Sequence, residues 1–181
     1  MTEHKCKTLR KCLHFIVSAG IVLTAIAAHA QQDNNIIDSR DLIGQLTPVT
    51  GEVAIVNLSI PFKIGSADLT AQARDQLNQL GQALQSEALS LMDVGLFGHT
   101  DASGSAGYNL TLSDKRAQMV RDYLIEHFKI DPEKLTARGY GEERLLHPEA
   151  PLAAENRRVE VVTTRPITGT PPPEGDTQAI N

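Results

Sequence analysis

Cysteine is nearly absent from this 181-residue chain, and both of its copies, Cys6 and Cys12, fall within the first twelve residues. Residues 31–181 have none, which excludes a disulfide framework or a thiolate metal site there. With no cysteine after the apolar stretch at residues 13–28, a lipid-anchored lipoprotein is also disfavoured. Basic charge is scarce as well. The chain has 17 Lys and Arg against 22 Asp and Glu; residues 1–30 hold four of the basic and one of the acidic residues, leaving 13 and 21, a net of about −8 with His neutral. Such an acidic remainder argues against a face for nucleic acid or anionic lipid. Also missing are a Gly-x-Ser-x-Gly elbow, a nucleophilic cysteine, a Walker-type loop, an internal repeat and a heptad run. Acidic residues are plentiful, but nothing singles out two of them as an acid/base pair.

The one long apolar run reads as an address. Lys5, Lys7, Arg10 and Lys11 form a basic start, residues 13–28 are predominantly apolar, and Ala28-His29-Ala30 fits a small-x-small cleavage pattern. Residues 1–30 are therefore expected to be a cleaved signal peptide, with an uncleaved anchor as the other reading; the run is short for a span of about 20 residues. Cleavage would leave 151 of the 181 residues, enough for one domain with its own core and flanking segments. No membrane span is expected after cleavage. Residues 31–50 are too few for a membrane barrel of eight strands of about ten residues each.

Within residues 31–50, an N-terminal segment, residues 37–46 suit a short helix capped by Asp38 or Ser39, with Leu42, Ile43 and Leu46 on one face. A first strand is predicted over 53–60, and a helix after the N-cap Thr70 with Ala73, Leu77, Leu80 and Leu84 on one stripe. Residues 91–97 read as a buried strand ending at a turn at Gly98; residues 135–140 and 157–163 read as two more strands, joined by a polar connection over 142–155 with a turn of helix after Pro151. Strands separated by helices imply an α+β sandwich: a βαβαβ-type domain over 51–165, helices packed on one mixed four-stranded sheet. Residues 166–181, with four prolines and two glycines, read as a disordered tail, or alternatively as a Pro-rich docking segment.

The organising stretch is residues 97–117. Asp101 lies just beyond the strand, and after small residues Ser113 offers an N-cap for a helix whose apolar positions are Leu112, Ala117, Val120 and Leu124, placing Arg116 in its first turn. An acid at a strand end and an arginine at a helix start can face each other and hold a zwitterion: the carboxylate takes an ammonium group, the guanidinium fork takes a carboxylate. Taken singly, Asp101 reads as a turn residue and Arg116 as a solvated helix residue.

These residues carry a resemblance. Gly98-His99-Thr100-Asp101, Tyr108-Asn109-x-x-Leu112-Ser113-x-x-Arg116-Ala117, Tyr123-Leu124-Ile125, Ala137-Arg138-Gly139-Tyr140-Gly141-Glu142 and Asn156-Arg157-Arg158-Val159-Glu160 resemble, in order and spacing, the OmpA-like peptidoglycan-binding domain. The resemblance implies that Asp101 and Arg116 clamp the amino acid head of diaminopimelate in the wall's stem peptide, with supporting roles for Thr100, Asn109 and Arg157. It implies no cofactor and no catalysis.

Two readings stand for Asn109, as a cap of the turn after Gly107 or as a ligand contact, and two for Arg157, as a ligand contact or as the partner of an acid within the fold. His99 and Asp101 invite a metal reading, but a zinc site needs three or four ligands and neither His127 nor His147 has matching spacing. The expectation is a periplasmic, non-enzymatic protein that binds peptidoglycan without a metal. The alternatives are an adaptor docked on another envelope protein, then a wall hydrolase.

Overall fold

In the computed structural model, which describes residues 36–49 and 53–165, four strands bury every second side chain, and three helices cover the face they bury. The expected signal peptide, residues 31–35 and the tail lie outside the described residues. The elements run α1 (Ser39–Leu46), β1 (Ala54–Leu58), α2 (Ala71–Leu84), β2 (Asp93–His99), α3 (Ala106–Phe128), β3 (Leu135–Gly141) and β4 (Val159–Thr164), with single 3-10 turns at Pro132–Lys134 and Ala154–Asn156. The strand order is β1-β4-β2-β3. β4 is antiparallel to both β1 and β2, and β2 is parallel to β3 through the α3 crossover, so the sheet is mixed and the fold is α+β, as the alternation of elements predicts.

Leu77, Leu80 and Leu84 of α2, Val120 and Leu124 of α3, and Val56, Leu58, Val94, Leu96, Val159 and Val161 of the sheet form one apolar core. α1 belongs to it. Leu42 and Leu46 are fully buried, Asp38 caps the helix by accepting from the Arg40 and Asp41 amides, and the buried Gln76 of α2 clasps the Ile37 backbone from both sides, at 2.8 and 3.0 Å. Thr163 adds a hydrogen bond to the Leu46 carbonyl at 2.5 Å. The residues before β1 are thus partly core, rather than only a segment leading into the domain.

Three elements that frame the cavity described below differ from expectation in where they begin or end. β2 begins at Asp93, leaving Leu91 exposed, and runs through Gly98 to His99. Gly98 is no turn: a Cβ there would stand 2.3 Å from the Ser113 carbonyl oxygen, so its missing side chain lets α3 lie against the strand. β4 begins at Val159 rather than at residue 157, and Arg157 instead closes the 3-10 turn before it. The largest correction concerns α3. Its cap is Ser105, whose hydroxyl accepts from the Tyr108 amide after Gly104 turns the chain at φ +98°, so the helix is capped eight residues before Ser113. Ser113 is fully buried mid-helix, where its hydroxyl accepts from the Gly141 amide at 2.8 Å. Arg116 therefore lies about 15 Å along the helix from its start, beyond the reach of the unpaired amides there.

Candidate functional site

Two strand-to-helix connections leave the same end of the sheet and face each other across a cavity of about 650 Å³. The first, between β1 and α2, is braced by the Phe62–Leu69 bridge and by Thr70, which donates to the Pro61 carbonyl and caps α2 by accepting from the Ala73 amide. The second, between β2 and α3, carries Thr100 and Asp101. α3 and the 3-10 turn before β4 complete the walls.

Asp101 is 7% exposed and held from several sides. Its Oδ1 accepts from the Ser103 amide at 3.0 Å and from the Ser103 hydroxyl; its Oδ2 accepts from Arg157 Nη1 at 2.7 Å. Burial pushes this carboxyl up, but the Ser103 donors and the Arg157 guanidinium outweigh it and hold its pKa below the usual range, so it is ionised at neutral pH.

Arg116 reaches the same cavity from α3. Its Nε donates to the Ser66 carbonyl at 3.0 Å, and its guanidinium carbon lies 4.8 Å from the centre of the Phe62 ring. Burial lowers its pKa and the nearby Arg157 cation adds to that, while Tyr108 and Asp101 oppose it; the group stays a cation. Among the described residues no hydrogen bond or ion pair joins Arg116 to Asp101 directly. They stand as separate charges bordering one cavity.

Of the other expected site residues, Thr100 is buried at the cavity wall with its hydroxyl unpartnered among the described residues, although its amide pairs with the Gly141 carbonyl. Asn109 turns inward: its Nδ2 donates to the Asp101 and Ser103 carbonyls and to Glu142 Oε2 at 2.6 Å, strapping the loop to α3. It is neither the cap of the turn, a role Ser105 takes, nor free to donate elsewhere. Arg157 pairs with an acid of the fold, and that acid is Asp101 itself.

Sequence reasoning missed Phe62 and Ser66, and it passed over Ser103 among the small residues that follow Asp101. An aromatic between a strand and a capped helix was the available signal for Phe62. His99 is 2% exposed, stacks beside Tyr140 at 5.7 Å, and among the described residues has neither ring nitrogen hydrogen-bonded. Burial, with the Arg158 and Arg144 cations, lowers its pKa to about 4, so it is neutral at pH 7 and its 3.9 Å approach to Glu160 is no ion pair. Among the described residues no three His, Cys, Asp or Glu side chains converge as metal ligands.

The cavity thus offers a carboxylate, guanidinium forks, a vacant hydroxyl and an aromatic wall, which together suit a small ligand carrying both charges. The chain belongs to the OmpA family, whose model matches residues 61–158. It is 33% identical over 119 residues to outer membrane protein A of Bordetella avium, covering 63% of this chain and 58% of that protein. It is 31% identical over 115 residues to outer membrane porin F of Pseudomonas aeruginosa, covering 62% and 32%. The match therefore spans between about a third and three-fifths of these relatives. Among solved structures, the cell wall anchor of the T6SS from Pseudomonas aeruginosa is similar at 25% identity with a TM-score of 0.51, covering 70% of this chain and 93% of that one.

Proposed function

We propose that this protein binds peptidoglycan non-covalently in the periplasm, taking the free amino acid head of diaminopimelate between Asp101 and Arg116. The observation that carries the reading is their placement: among the described residues, an ionised carboxylate and a guanidinium with two uncommitted nitrogens border one cavity, beside the unpartnered hydroxyl of Thr100. The similarity to a protein described as a cell wall anchor supports it.

Two charge-assisted contacts and a few neutral hydrogen bonds give roughly millimolar to micromolar affinity for a free stem peptide once association costs are met. On a polymer that presents the same epitope densely, rebinding lengthens residence. Holding the wall needs no activated nucleophile, and we assign no catalysis.

The test is co-sedimentation with purified cell wall. Wild-type protein is expected in the pellet, while Arg116→Ala stays in the supernatant and Asp101→Ala sediments measurably less, both with unchanged circular dichroism. Full sedimentation of both folded variants would defeat the reading, and release of soluble wall fragments by wild-type protein would favour a hydrolase. An adaptor role remains the second reading, since the similar T6SS anchor is by its description part of a larger machine. Truncation after Arg165 tests it through loss of partner capture with wall binding retained. Truncation through Leu46 does not, because Leu42 and Leu46 are core.

A further inference from the structure

The charges around the cavity do not balance. Among the described residues Asp101 is its one bordering carboxylate, against the guanidinium groups of Arg116, Arg157 and Arg158. Arg158 is committed elsewhere: its Nε donates to Asn57 Oδ1 at 2.9 Å, its Nη2 donates to the Arg144 carbonyl at 3.2 Å, and Glu160 lies 3.7 Å away. Arg116 and Arg157 therefore share a single acid.

Donors and acceptors are just as uneven. Among the described residues, Arg116 uses only Nε and Arg157 only Nη1, so four nitrogens of the two forks are open, as is the Thr100 hydroxyl. Both oxygens of Asp101 are engaged. An arriving ammonium thus meets a carboxylate that already has a cation on Oδ2, whereas an arriving carboxylate meets open forks. Ser103 cannot make way, because its amide belongs to the loop; the Arg157 side chain is 48% exposed and can swing.

We propose that Arg157 determines specificity by standing in for the ligand's ammonium group. When an amino acid head enters, its ammonium replaces the guanidinium on Asp101 Oδ2, and the released fork joins Arg116 on the ligand's carboxylate. The exchange keeps one cation on Oδ2 throughout, avoiding two cations crowded on one oxygen. It makes the ammonium contact a near-even trade, while the carboxylate gains two forks. The inference rests on the ligand assignment above and adds an order of importance: carboxylate first, ammonium second.

The experiment titrates the full-length protein with a synthetic stem tetrapeptide whose diaminopimelate keeps one free amino acid head, and with the same peptide acetylated at that amine or amidated at that carboxyl. A charge-assisted hydrogen bond is worth roughly ten- to a hundredfold in affinity. On that scale, wild-type protein should lose about threefold on acetylation and about a hundredfold on amidation. Arg157→Gln frees Asp101 and removes one fork, so its losses should move in opposite directions: acetylation then costs more, about thirtyfold, and amidation less, about tenfold. Arg157→Lys, which keeps a cation beside Asp101, should keep the small acetylation loss.

If wild-type protein binds the unmodified peptide but Arg157→Gln leaves both losses unchanged, or raises both, the role of Arg157 is overturned and the ligand assignment stands. If wild-type protein binds neither the peptide nor purified wall, the ligand assignment itself falls.

Discussion

Helices α2 and α3 lie on the same face of the same sheet but meet it by different means. α2 packs through side chains, with Leu77, Leu80 and Leu84 buried in the apolar core under the sheet. α3 packs through its own backbone at its N-terminal half: Gly98 on β2 and Gly139 on β3 leave no room for a Cβ, which would stand 2.3 Å from Ser113 O and 2.2 Å from the Asp114 amide. Polar pegs hold that contact, with Ser113 accepting from the Gly141 amide and Asp114 from the Gly139 amide. Side-chain packing tolerates small shifts, because flexible chains repack; backbone contact does not. The helix that carries the expected ligand-binding arginine is thus hydrogen-bonded to β3 at Gly139 and Gly141 and lies directly against the backbone of β2 at Gly98.

The largest effect should come from breaking that contact. Gly139→Ala is expected to cost about 3 kcal/mol in urea unfolding and to abolish wall co-sedimentation, since α3 must lift away. Leu80→Ala should cost a similar amount, about 2 to 5 kcal/mol, by leaving a cavity under α2, but its folded fraction should still bind wall. Equal loss of binding in both would erase the distinction between the helices.

A second test uses pH. His99, at the end of β2, faces Tyr140 of β3, Arg158 just ahead of β4 and Glu160 of β4, with Arg144 close by. Its folded pKa of about 4 lies below the ordinary 6.5, so the unfolded chain takes up this proton first as pH falls. Its contribution is complete above pH 6.5 and fades towards pH 4, amounting to about 2 kcal/mol after allowance for screening. Chemical unfolding measured across this range should show the loss, and His99→Phe should flatten it.

Smaller effects should separate the site from its support. Arg116→Lys is expected to weaken wall binding about tenfold, because an ammonium cannot reproduce the fork or its stacking on Phe62, while urea stability moves by less than about 0.5 kcal/mol. Tyr108→Phe, which removes only a long 3.4 Å contact to the Gly65 carbonyl, should change stability and binding least, within about 0.5 kcal/mol by the same unfolding and sedimentation assays.

Most of the architecture was legible in residue order. The leucine spacing of α2 and its Thr70 cap, the β-branched run of β1 and the alternation of β4 signal their elements locally, because burial on one face imposes a period. The start of α3 was not. Ser105 and Ser113 are both plausible caps, and choosing Ser113 required not knowing that its hydroxyl is taken by the Gly141 amide, 28 residues away. Gly98 misled for a related reason: a glycine admitting a neighbouring backbone and a glycine ending a strand look alike in one dimension.

By itself, then, the sequence determined the elements and the mixed α+β arrangement, since periodicity, caps and local spacing suffice for those, and it named Asp101 and Arg116 as candidates through their resemblance to the OmpA-like motifs. Only the tertiary structure decided that Arg157 closes on Asp101 from 56 residues away, that Asn109 is consumed in strapping the loop, and that Phe62 and Ser66 hold Arg116. Those pairings depend on which chain ends the sheet brings together. Separation along the chain carries no record of that geometry.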